Sequence, residues 1–119
     1  MKDQFVSYEE ALGLKELGFN EPCFGYYKLI EGLHKPYLVN TELRRSPNNY
    51  SISAPLWQQT FDWFRKEYNL IPYIDFNKRN SKFGFNIIRL DGPLLMKDFD
   101  TYEEARLACL VKLIELVKR

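Results

Sequence analysis

The chain has 119 residues, with 17 basic and 16 acidic side chains, nine Phe, eight Tyr and two Trp. That length suits one domain over residues 1–119, with a core that needs no metal or disulfide staple. A net charge of +1 excludes a global electrostatic pull toward nucleic acid or anionic membrane.

The first predicted element is a helix from Ser7 to about Leu17. Ser7 is a hydroxyl residue at the N-cap and Glu10 follows three positions later. In that pattern the hydroxyl accepts an early backbone N–H while the glutamate reaches back to the cap, worth on the order of 1 kcal/mol. Ala11, Leu14 and Leu17 make a narrow apolar stripe, Gly18 suits the left-handed position past the end, and Phe19 falls where a residue packs back onto Leu14. After Glu21-Pro22, Cys23 to Ile30 reads as a strand, with Phe24, Tyr26 and Ile30 on one face and Tyr27 and Leu29 on the other. Glu31 to Lys35 reads as a hairpin loop, and Pro36 to Thr41 as the returning strand, with Tyr37 and Val39 on one side. The segment from Glu42 to Ser51, with Arg44-Arg45, Ser46-Pro47 and Asn48-Asn49, is the clearest loop.

Ser53 is the predicted cap of a second helix, with Pro55 in its first turn and Ile52 stapled against Trp57. Trp57, Phe61, Phe64 and Tyr68 then follow a spacing that places four aromatics on one face, with Trp63 on the shoulder nearer Leu56 and Thr60. Ile71 to Lys78 and Phe83 to Leu90 form a second hairpin about the polar turn Asn77 to Lys82, with Ile74, Phe76, Phe83, Phe85 and Ile87 inward. Asp91-Gly92-Pro93 is a turn and Leu94-Leu95-Met96 a short edge strand.

The last helix runs from Thr101 to about Lys118 and opens on Thr101-Tyr102-Glu103-Glu104-Ala105, a near copy of Ser7-Tyr8-Glu9-Glu10-Ala11. Similarity stops after the alanine, so the doublet reads as convergent capping chemistry. The better candidate for a repeat is architectural, helix plus hairpin twice. A helix as apolar as the last one must be covered on most sides. It is either the central packing element under a sheet or a homo-oligomer contact with another subunit. The expected class is α+β in the order α-ββ-α-ββ-α, an antiparallel four-stranded sheet with helices packed on one face.

Chemistry is sparse. The sole histidine, His34, falls in a predicted turn and reads as solvated. Cys23 and Cys109 stand far apart with no CxxC pair, and read as free thiols in a reducing compartment, Cys109 within the core. Glu9, Glu10, Glu103 and Glu104 are explained by capping, and Asp98 and Asp100 by a solvated loop. With no phosphate-binding glycine loop and no metal-ligand spacing, the expectation is a non-enzyme with no catalytic residue, cofactor or metal.

Two features point to binding. Arg44, Arg45, Lys78, Arg79 and Lys82 are candidate phosphate or nucleic-acid contacts if their loops share one end of the sheet, with Tyr50, Trp63 or an outward Tyr27 as stacking surfaces. The alternative is that cationic turns merely solvate and protect hairpin ends. Trp63 is the aromatic expected to be exposed, and is the candidate partner contact.

The blocks Ser7-Tyr8-Glu9-Glu10-Ala11 through Phe24, Ile52-Ser53-Ala54-Pro55-Leu56-Trp57 through Arg65, and Thr101-Tyr102-Glu103-Glu104-Ala105 through Leu110 resemble a group of small uncharacterised proteins of phages and prophages of Bacteroides-type bacteria. The resemblance carries no functional residues. It implies a bacterial cytoplasm during infection or lysogeny, and a small accessory protein that binds a host or phage protein. A nucleic-acid or nucleotide binder, including a sponge for phosphate-bearing signalling molecules, is the alternative function. The start Met1-Lys2-Asp3-Gln4-Phe5 has no apolar core of signal-peptide length, and no stretch approaches the roughly 20 apolar residues of a membrane span, which agrees with a cytoplasmic location.

Overall fold

The computed structural model describes residues 4–29, 36–46 and 51–118. Ile30, the predicted loop with His34, and Tyr50 lie outside the described residues. The chain divides into two compact units, Met1–Thr60 and Phe61–Arg119.

In the first unit α1 (Tyr8–Glu16) precedes β1 (Cys23–Lys28), β2 (Tyr37–Arg44) and β3 (Ser51–Ser53). The helix stops as its sequence dictates. Gly18 takes φ +98°, the Phe19 N–H donates to the Leu14 carbonyl at 3.0 Å, and the Gly18 N–H donates to that of Lys15 at 3.0 Å. These are the two bonds of the Schellman motif, and they satisfy carbonyls that the helix end leaves orphaned. Ala11 and Leu14 are buried and the helix packs on β3.

β1 is the centre of an antiparallel sheet ordered β2-β1-β3. Its buried face is Cys23, Gly25 and Tyr27. Gly25 leaves room for the Phe5 ring, whose Cε1 lies 2.8 Å from where a Cβ would stand. Phe5 also bridges Leu56, the Val6 N–H donates to the Pro55 carbonyl at 2.9 Å, and the Tyr27 hydroxyl donates to the Val6 carbonyl at 2.5 Å. Phe5 and Val6, which carry no periodic signal, are therefore buried core residues.

In the second unit β4 (Ile71–Asn77), β5 (Lys82–Ile88) and β6 (Leu94–Phe99) are followed by α3 (Tyr102–Val117). The sheet is an antiparallel meander, β4-β5-β6. Ile74 pairs with Phe85, and Phe76 with Phe83, so the predicted residues share one face, but of them only Phe85 and Ile87 are buried and Phe76, at the hairpin end, is 49 % exposed. α3 covers the sheet, burying Ala105, Cys109, Leu110 and Leu113. Full burial of each leucine is worth about 1.5–3 kcal/mol. The Phe83 ring meets Tyr102 at 6.2 Å, and Phe85 stacks with Phe99 at 6.0 Å.

α2 (Trp57–Tyr68) runs across the division. Its buried residues are Trp57, Thr60, Trp63 and Phe64, whereas Tyr68 is exposed. The buried stripe is thus rotated from the expected Trp57-Phe61-Phe64-Tyr68 row onto the shoulder that carries Thr60 and Trp63.

The expected single four-stranded sheet, with helices on one face and order α-ββ-α-ββ-α, is incorrect. Among the described residues there are six strands in two three-stranded antiparallel sheets, in the order α-βββ-α-βββ-α. Each miss has a local cause. Ser51-Ile52-Ser53 pairs with Lys28, Tyr27 and Tyr26, although its two serines and polar flank mimic a loop and a helix cap. With Ser53 in a strand, α2 starts at Trp57 instead, and the Leu56 N–H finds the Gln59 side-chain oxygen at 3.4 Å. β6 continues past Met96 through a bulge where Asp98 adopts φ +73°, which breaks the alternation that marks a strand. β2 likewise extends to Arg44 across an irregular register. The helix-plus-hairpin repeat also fails, because the central strand is the first in one sheet and the second in the other.

Candidate binding surfaces

The five predicted cations separate by unit. Arg44 ends β2 opposite Cys23, and the Arg45 Nε donates to the Asn20 carbonyl at 3.0 Å; both belong to the first unit. Lys78 and Arg79 lie in the exposed β4–β5 turn, and Lys82 opens β5; these belong to the second. The turn forms because the Asn77 and Asn80 side chains accept the N–H groups of Arg79 and Lys82 at 3.0 and 3.1 Å, an Asx geometry available to asparagine. The Lys82 ammonium pairs with the Asp100 carboxylate. Its pKa is raised, first by the hydrogen bond to Asp100, then by that group's charge, with smaller help from Asp98 and Glu104.

Lys78 and Lys82 share an open depression of about 330 Å³, whose other lining residues are Asp75, Phe76, Asn77, Phe83, Gly84, Lys97 and Asp98. Arg79 is not among its lining residues. Lys97 escaped the sequence reading because β6 was expected to end at Met96. Its only signal was a lysine beside an edge strand. Gly84 forms part of this wall because a Cβ would stand 2.6 Å from the Met96 carbonyl oxygen. Three ammonium groups and two carboxylates give the depression ion-pairing capacity in both signs. Among the described residues its lining carries no thiol, hydroxyl or imidazole.

The thiols are equally unsuited to attack. Burial pushes Cys23 up to about 12, with the Glu21 charge adding to the shift and hydrogen bonds from Gln59 and Ser53 opposing it. Burial alone pushes Cys109 up to about 12. Both stay protonated near neutrality, and the thiolate is the reactive form. At the two helix starts the capping contacts differ. The Thr101 hydroxyl accepts the Glu104 N–H at 3.1 Å. The Ser7 hydroxyl instead donates to the Glu10 carboxylate and makes no cap bond to the backbone, so the two copies of the doublet differ in chemistry.

Trp63 is not the exposed ring expected of it. It is 7 % exposed, edge-on to Phe64 at 5.1 Å and to Tyr68 at 5.4 Å. The exposed apolar surface lies elsewhere. In the first sheet Phe24 and Tyr37 are 46 % and 40 % exposed, on the face opposite Cys23 and Tyr27. They flank the half-buried cross-strand pair Tyr26 and Val39. In the second sheet Ile71 and Ile88 form an exposed pair across β4 and β5. Beside them the Asn86 amide donates to the Tyr73 hydroxyl at 2.7 Å, while the Asn86 Oδ1 is buried with no hydrogen-bond partner among the described residues. On α3, Leu107 and Val111 are exposed.

Among the described residues no helix is long and apolar enough to cross a membrane. In comparisons with known proteins, no family model, no curated protein and no solved structure matches the chain.

Proposed function

We propose that this chain is a small non-enzymatic accessory protein, working in the cytoplasm of a phage-infected or lysogenic bacterium by binding a host or phage protein. The observation that carries this reading is the aromatic face of the first sheet. Phe24 and Tyr37 expose large rings on neighbouring strands around Tyr26 and Val39. Clustered aromatic surface of that kind is where protein partners gain most from excluding water. Buried Trp63 is not assigned to the contact. The test is affinity capture from infected cells with the native chain and with the double variant Phe24→Asp, Tyr37→Asp. The expected result is a stoichiometric partner that the variant loses while keeping native circular dichroism. Capture of the same partner by both chains overturns the assignment.

A second reading, a binder of nucleotides or other phosphate-bearing molecules, is favoured by one observation: Lys78, Lys82 and Lys97 line one depression. Asp75 and Asp98 in the same lining oppose the charge, which makes it the weaker reading. It requires that titration with a nucleoside phosphate shift the amide resonances of Gly84 and Lys97, with affinity falling as salt rises. Unmoved resonances at millimolar ligand reject it.

A further inference from the structure

α3 carries two apolar faces, and the sheet uses one. Ala105, Cys109, Leu110 and Leu113 are buried. At about 100° per residue, the positions 104, 107, 111 and 114 form a second row on the opposite side, and the C-cap residue 118, just past the helix end, follows it. They read Glu104, Leu107, Val111, Ile114 and Lys118. Leu107 and Val111 are each 41 % exposed, Ile114 is half-buried, and Glu104 and Lys118 are exposed. The spacing alternates three and four, the pattern of a seam that meets another helix.

We propose that this seam is a self-association surface, and that its occupant is the same seam on a second copy of the chain running antiparallel. The charge pattern selects that occupant. Glu104 and Lys118 each stand seven positions from Val111, about 10 Å along the axis. A two-fold axis at Val111 therefore sets the Glu104 carboxylate of each copy opposite the Lys118 ammonium of the other. Leu107, four positions before Val111, comes opposite Ile114, three positions after it, within about 1.5 Å of the same level. The antiparallel arrangement also opposes the two helix dipoles, with acids at the N-terminal end and a lysine at the C-terminal end. Among the described residues the ion pair within α3 joins Lys112 to Glu115 at 3.8 Å; the Glu104 backbone N–H is held by Thr101, and the Glu104 carboxylate makes only a minor charge contribution at Lys82.

Three apolar residues per copy fall short of the roughly 800 Å² per partner of a standard interface, so the association is a reversible, concentration-dependent equilibrium. It does not depend on the reading of the aromatic face as a partner contact.

Sedimentation equilibrium on the full chain, over a concentration series at low salt, tests the proposal. The expected mass rises from one chain toward two with increasing concentration. Val111→Glu is expected to weaken the dimer by at least about tenfold, and Glu104→Lys to weaken it by placing like charges together. The double exchange Glu104→Lys, Lys118→Glu is expected to restore it, because the pairing is symmetric. A monomer at every concentration up to about 1 mM, where binding is worth only about 4 kcal/mol, overturns the proposal and leaves the seam to a different protein. A dimer indifferent to Val111→Glu, or not restored by the exchange, overturns it too. Since the altered positions are solvent-facing, unchanged circular dichroism separates loss of association from loss of fold.

Discussion

Gly84→Ala probes how closely β6 approaches β5. Gly84 lies in the central strand opposite Asp75, beside the bulge of β6. An added Cβ would stand 2.6 Å from the Met96 carbonyl oxygen, 3.0 Å from Asp75 Oδ1 and 3.4 Å from the Lys97 Cα. The first approach falls 0.8 Å inside the 3.4 Å at which ordinary contact begins. The obstacle is backbone, tied to β5 by the pairs Phe83 with Phe99 and Phe85 with Met96, so it cannot rotate aside as a side chain would. Alanine in a strand interior gains about 0.5–1 kcal/mol over glycine from backbone entropy. Forcing a methyl into a filled site costs about 1–3 kcal/mol. Overpacking wins, and a net loss of about 1–2 kcal/mol is expected, with a melting temperature lower by several degrees. Gly25→Ala is the control. Its nearest obstacles are Phe5 ring atoms at 2.8 and 3.2 Å and the Leu38 Cδ1 at 3.3 Å, side-chain atoms rather than backbone, so the loss is smaller. Urea unfolding followed by circular dichroism measures both. Gly84→Ala as stable as the native chain, or less damaging than Gly25→Ala, refutes the reasoning.

Alkaline stability should follow the buried thiols. Cys23 and Cys109 rise from 9.0 to about 12 on folding, so above pH 9 the unfolded chain releases protons that the folded chain keeps. Stability is therefore full below pH 9 and falls as pH climbs toward 12. The raised Tyr27, desolvated by burial and then opposed by the Glu10 charge, acts in the same direction above pH 10. A urea midpoint that does not fall between pH 8.5 and 11, or that falls equally after Cys109→Ala, contradicts this. At the helix starts, Thr101→Ala should cost about 1 kcal/mol because it removes a real cap bond. Ser7→Ala should cost less, since the Ser7 hydroxyl serves only the Glu10 side chain; equal losses in thermal unfolding would show that the doublet works alike at both ends.

The features legible in the sequence are those whose physics is local. The end of α1 and the start of α3 lie where Gly18 and Thr101 place them, because a Schellman turn or a cap is closed within six residues. The β4–β5 hairpin forms about the expected polar turn, with Asn77 and Asn80 shaping it, since turn and alternation reinforce each other over adjacent positions. The burial of Cys109 is legible as well, because its neighbours along the helix are apolar.

Tertiary structure alone decided the rest. Ser51–Ser53 is a strand only because β1 offers it an unpaired edge, and three residues carry no periodicity of their own. Which side of α2 is buried turned on what lies against it, so Trp63 and Thr60 are buried and Tyr68 is exposed, although the spacing favours the Trp57-Phe61-Phe64-Tyr68 stripe with Trp63 outside it. Lys97 joined Lys78 and Lys82 because a bulge carried β6 beyond its apparent end. α3 shows the division most plainly: its sequence announces more apolar surface than one face needs, but only the pairing of four of its residues with the sheet reveals that Glu104, Leu107, Val111, Ile114 and Lys118 are the row left over. Strand partners and buried faces are set by contacts between segments far apart in the chain, and those are fixed when the chain folds rather than within any one window of residues.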